Sequence, residues 1–84
     1  MDAQELFLRL SNSRTNVAFG DFERLLRAFG FRMRRQRGSH QVWSRPGVRE
    51  SLSVQSFRGE AKTYQIAQFL KLVATYNLTI EDRT

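Results

Sequence analysis

The chain contains no cysteine. Disulfides and thiolate metal sites are therefore excluded, and the fold has to hold by packing alone. There is one histidine, His40, which argues against the usual histidine-rich zinc site, and the sequence calls for no cofactor. No apolar run approaches membrane-spanning length. Asp2 and Glu5 stand where a signal peptide would carry a basic segment, so none is expected and the cytoplasm is the expected location. Acidic residues are missing from the whole stretch between Glu23 and Glu50, whereas Arg24, Arg27, Arg32, Arg34, Arg35, Arg37, Arg45 and Arg49 all fall inside it.

What is present fits one small domain of 84 residues, 40% apolar and 26% charged, without repeats or low-complexity segments. Net charge is +6, and arginine supplies most of the 14 cations. The planar guanidinium fork suits phosphate and stacks on bases, so a polyanion is the expected partner, with nucleic acid first. A solvated basic face, or a face that takes an acidic protein, would give the same local excess.

Ala3, Leu6, Phe7 and Leu10 recur at helical spacing, with Asp2 at the positive end of the helix dipole. A polar connector from Ser11 to Asn16 follows. Phe22, Leu25, Leu26 and Phe29 form a second stripe, opened by Gly20 or its neighbour with Asp21 in the first turn, and closed by Gly30. Phe31 to Gln36 alternates apolar and basic residues and reads as a strand. Arg45-Pro46-Gly47 breaks a second strand, and Leu52 and Val54 mark a third. Phe57 to Glu60 reads as a loop. A last helix starts near Thr63 as N-cap, turns Ile66, Phe69, Leu70 and Val73 inward and closes at Tyr76 or Asn77. Ile80 can still pack, and the tail after it is expected to fray. Strands with one face covered by two helices make an α+β two-layer sandwich.

Gly38-Ser39 fits a two-residue type II′ hairpin loop, which wants glycine first. That register sets Arg37 opposite His40, Arg35 opposite Val42 and Arg34 opposite Trp43. One face then carries Phe31, Met33 and Val42 on the core, and Arg35, Arg37 and His40 beyond it. The other face carries Arg32, Arg34, Trp43 and Arg45. A one-residue slip would exchange the two faces.

His40 is the candidate catalytic residue. It follows a tight glycine turn, so Gly38 and Ser39 leave room for a substrate, and its arginine neighbours favour an uncharged ring and attract phosphate. Those are the requirements for metal-independent RNA cleavage by transphosphorylation. A base takes the 2′-OH proton, that oxygen attacks the adjacent phosphorus, and cations stabilise the charge on phosphate. With no second histidine the general acid stays open between Tyr64, Lys62 and water. Arg34, Arg35 and Arg37 are candidate phosphate clamps, against a role as edge-blunting surface charge. Trp43 is a candidate base-stacking residue, against ordinary packing. Lys62, near a helix N-terminus, is a candidate phosphate contact, against a solvated lysine.

Gly30-Phe31, then Arg35-Gln36-Arg37-Gly38-Ser39-His40, then the Pro-Gly break and a final helix, together resemble the HicA-type toxins of bacterial toxin–antitoxin pairs, over about Phe19 to Leu78. The resemblance implies a fold like the double-stranded-RNA-binding domain, α-β-β-β-α, here with an extra N-terminal helix. It implies an mRNA interferase whose family histidine corresponds to His40, and a HicB-type antitoxin that covers the active face. Gln41 stands where many relatives place a histidine or another polar residue, a change expected to be tolerated. Residues 1–18 form an extension that could serve the antitoxin or an oligomer. Two other functions fit the same residues: a non-catalytic RNA-binding module of the same fold, and a protein-docking module.

Overall fold

The structure, a computed structural model, describes residues 2–81. Helix α1 spans Ala3–Asn12, α2 spans Phe19–Ala28 and α3 spans Thr63–Thr75. Strands β1 (Arg32–Arg37), β2 (His40–Ser44), β3 (Leu52–Phe57) and β4 (Glu60–Ala61) form one antiparallel sheet in the order β1-β2-β3-β4. The molecule is therefore α+β, with the expected α-β-β-β-α order preceded by one more helix. The fourth strand was not expected. Phe57 to Glu60 is a two-residue hairpin turn joining β3 to β4, with Phe57 paired to Glu60, and not an open loop.

The helical stripes are buried as their spacing demands. Phe69 of α3 is fully buried and sits between three other phenyl rings: Phe22, Phe29 and Phe31 approach it nearly edge-on, at centroid distances of 5.9, 5.4 and 6.1 Å. That arrangement suits the ring quadrupole, and each pair adds about 0.5–1.5 kcal/mol beyond burial. Phe7 of α1 packs on Phe29 at 5.0 Å, and Leu6, Leu10 and Val17 are fully buried in the same cluster. Residues 1–18 are thus part of the core in their described portion. Helix α1 is fixed at its start by a capping box, in which the Asp2 carboxylate accepts the Glu5 N–H and the Glu5 carboxylate accepts the Asp2 N–H.

Helix α2 is capped two residues before Gly20, by neither the glycine nor its neighbour. Ala18 is its N-cap and makes no side-chain cap bond. Its backbone instead joins an isolated bridge to Glu60, with the Phe19 N–H donating to Gly59 O and the Ala61 N–H to Val17 O, so the sheet edge fixes the helix start. Gly30 closes α2 at φ 89° as expected. Helix α3 begins at Thr63 with Lys62 as N-cap, so the expected Thr63 cap moves by one residue. After Tyr76 and a left-handed Asn77 (φ 53°), the tail turns back over the molecule. Leu78 and Ile80 pack on the core, the Glu81 N–H donates to Ala28 O at 2.7 Å, and its carboxylate takes Arg45 at 2.6 Å. The tail is held through Glu81; the rest of the segment expected to fray lies outside the described residues.

The hairpin register holds at its tip and breaks further down. Arg37 pairs with His40 and Arg35 with Val42, but a bulge between Met33 and Arg35 then brings Met33, not Arg34, opposite Trp43. On β2 the expected faces are also exchanged. Gln41 and Trp43 of β2 and Leu52 and Val54 of β3 are buried under the helices, whereas Met33, opposite Trp43, keeps the helix side of the edge strand at 42% exposure. Trp43 offers far more apolar area than Val42, and the strand turns its larger side chain inward.

Candidate active site

The exchange of faces puts His40 on the open side of the sheet. Across β2 and β3, His40 pairs with Gln55 and Val42 with Ser53, and these four share the face away from the helices. Arg35, Arg37, His40, Val42 and Ser53, with Gln41 at the border, line a shallow hollow of about 440 Å³. Gly38 has φ 60° while Ser39 does not have positive φ, the pattern of a II′ loop. A side chain added at Gly38 would meet nothing within 4 Å, so the space beside the turn is open. The His40 imidazole is exposed and makes no hydrogen bond to any described residue.

Strict alternation cannot place Arg34, Arg35 and Arg37 on one side of a strand. The bulge does. Arg34 Nε donates to Ser44 Oγ at 2.9 Å, and Ser44 lies on the open face with Val42, so two successive arginines turn the same way. Arg35 and Arg37 border the His40 hollow, whereas Arg34 stands toward the hairpin root with one donor committed to Ser44.

Trp43 does not belong to this surface. It is fully buried, its indole N–H donates to Gln41 Oε1 at 2.8 Å, and the Arg27 guanidinium covers its ring at 5.2 Å. Base stacking by Trp43 is therefore corrected to core packing. The chain of bonds continues from Gln41 Nε2 to Glu23 Oε2 at 2.9 Å, so the buried amide beside His40 is satisfied at both ends.

On the other flank, a polar relay runs from α3 to the turn. Lys62 Nζ donates to Gln55 Oε1 at 3.3 Å, and Gln55 Nε2 donates to Ser39 Oγ at 3.1 Å. The backbone N–H of Gln55, left without a strand partner where β4 ends, donates to Gln65 Oε1 of α3 at 3.1 Å. Gln65 is 3% exposed and so replaces a ladder bond from within the core. Gln55 and Gln65 were missed from the sequence. Only an inward-facing glutamine in an apolar helix stripe hinted at one of them.

The family model for the HicA toxin of bacterial toxin–antitoxin systems matches residues 19–73. The chain belongs to the HicA toxin family. It is thus the toxin of a toxin–antitoxin system, and membership implies an antitoxin partner. The match takes in the hairpin, the polar relay and most of α3, and begins at the first residue of α2. No curated protein and no solved structure matches the chain. Among the described residues no helix is long and apolar enough to cross a membrane.

Proposed function

We propose that this HicA toxin is a metal-independent endoribonuclease that cuts mRNA, with His40 as general base. The observation that carries the reading is the open hollow in which an exposed, unbonded imidazole shares a face with Arg35 and Arg37. RNA enters along the open face of the sheet, with its phosphates drawn to Arg34, Arg35 and Arg37 and past the Gly38-Ser39 turn. His40 takes the proton of a 2′-hydroxyl. That oxygen forms a bond to the adjacent phosphorus and the bond to the 5′-oxygen breaks, leaving a 2′,3′-cyclic phosphate and a 5′-hydroxyl. Lys62, tied through Gln55 to the turn beside His40, is the donor that returns a proton to the departing oxygen. The arginines stabilise the charge that gathers on the phosphoryl oxygens. A HicB-type antitoxin in the cytoplasm silences the toxin by covering the same face.

The test is RNA cleavage by purified protein in EDTA. His40→Ala should reduce the rate by about 10²–10⁴, the usual contribution of a positioned base, without changing the fold, since the ring is exposed. A 2′-deoxy substitution at the cut nucleotide should block cleavage. Cleavage at the wild-type rate by His40→Ala would overturn the reading.

A further inference from the structure

We propose that Phe57, Arg58 and Tyr64 form a second RNA subsite, one that stacks an unpaired base of the nucleotide next to the phosphate at His40. This rests on the RNA-cleaving reading of His40. Phe57 and Tyr64 are each 58% exposed. They are not scattered: both line one hollow beside the β3–β4 turn, together with Glu60, Ala61, Lys62 and Thr63.

The position of this hollow follows from the ladder. Gln55 lies across from His40, and Phe57 is two residues further along β3 on the same face. That makes Phe57 a diagonal neighbour of the catalytic imidazole, about 7–8 Å away along the sheet, a span that one extended nucleotide step covers. Lys62 connects the two places, since it lines the aromatic hollow and donates to Gln55.

The turn itself carries an independent signal. Arg58 has φ 53° and Gly59 φ 80°, so both central residues are left-handed, as a type I′ turn requires. Asparagine, aspartate or glycine suits the first of these positions, and an arginine there is strained. What arginine gains is contact with an aromatic ring: its guanidinium carbon lies 5.3 Å from the Phe57 centroid. A cation held over an exposed phenyl ring, with a second aromatic and a lysine alongside, suits a nucleotide, whose base has a π-face and whose backbone is anionic. Base–aromatic stacking of this kind is tolerant of sequence and needs an unpaired base. The substrate is therefore single-stranded at this nucleotide.

The experiment measures affinity for a non-cleavable single-stranded 2′-O-methyl oligonucleotide of mixed sequence, and for its duplex form. Phe57→Leu and Tyr64→Leu keep apolar bulk and lose the π-face. Each should weaken single-strand binding about five- to hundredfold and leave duplex binding unchanged. Arg58→Asn should do two opposite things: raise the thermal midpoint by about 4–8 °C through relief of the left-handed strain, and lower single-strand affinity. If the wild type does not bind the oligonucleotide, the RNA reading of His40 falls and the subsite with it. If the wild type binds and these variants bind equally well, the subsite alone is overturned. It is overturned too if they weaken duplex and single strand alike, or weaken only the grip of the antitoxin.

Discussion

The side-chain oxygen of Gln41 accepts the indole N–H of Trp43 at 2.8 Å, inside the core and one residue from the exposed His40. Gln41 passes the bond on to Glu23 of α2, so the strand that presents the imidazole is tied to the helix beneath it. Gln41→Leu would leave a buried indole donor unpaired, at a cost of about 1–3 kcal/mol. The thermal midpoint should fall by about 4–8 °C for each kcal/mol lost. Trp43→Phe removes the donor, so the double variant should lose less than the sum of the two single changes. Additive losses would show that the bond contributes nothing.

The glutamine that stands in for a strand can be tested in the same way. Gln65→Leu leaves the Gln55 N–H without its acceptor and should destabilise the fold by about 1–3 kcal/mol. RNA cleavage should fall further than stability accounts for, because Gln55 then loses its hold on Ser39 and Lys62. Rates measured well below the melting range separate the two effects.

Salt should distinguish the arginines that meet phosphate. Arg35→Ala and Arg37→Ala alter exposed side chains and should leave the melting curve in place. Each should flatten the slope of log affinity against log salt by about 0.7 for single-stranded RNA. An unchanged slope in either variant removes that arginine from the phosphate contacts.

At the other end of the molecule, the Tyr76 hydroxyl donates to Glu50 at 2.6 Å. This bond is the main reason that the Glu50 carboxyl is held below its ordinary 4.5, with a backbone hydrogen bond second. The folded state therefore binds fewer protons than the unfolded state between the two values. The stabilisation is complete above 4.5 and disappears as pH drops through the lowered value. The same bond raises Tyr76 above 10.0, so its share persists below 10.0 and is lost as pH climbs through the raised value. Glu50 is exposed and Tyr76 half-buried against the core, so solvent screens the pair. Tyr76→Phe should make the urea midpoint less sensitive to pH at both extremes; parallel profiles for the two proteins would refute the assignment.

Phe69 has the largest consequence for the fold as a whole. Phe69→Ala removes the ring on which Phe22, Phe29 and Phe31 converge and should cost about 3–5 kcal/mol. Against a total of about 5–15 kcal/mol for a domain, that is a large share of the stability, and a denaturant titration should show the midpoint fall accordingly.

The helices were legible because each is an apolar stripe at one period, and Leu6, Leu25 and Phe69 are buried as that period requires. The II′ turn was legible because Gly38 has a local reason to be there. The faces of β2 were not, since Val42 and Trp43 are both apolar and alternation cannot choose between them; the helices chose the larger. Nor was the bulge, because nothing in a row of arginines marks which one is extra. Its effect on the site was favourable to the original grouping, as it turns Arg34 to the side of Arg35 and Arg37. Gln55 and Gln65 are bonded by a strand end and a helix distant in sequence, and such pairings become visible only when the chain is folded.

Strand β1 ends the sheet, and every one of its residues is exposed. A bare strand edge ordinarily invites a second copy to pair with it and propagate into fibres. Here two copies meeting edge to edge would bring guanidinium against guanidinium, and the kink at Arg34 would throw their ladders out of step. Pairing of two copies through this edge is therefore disfavoured, and the arginine row protects the molecule from its own kind.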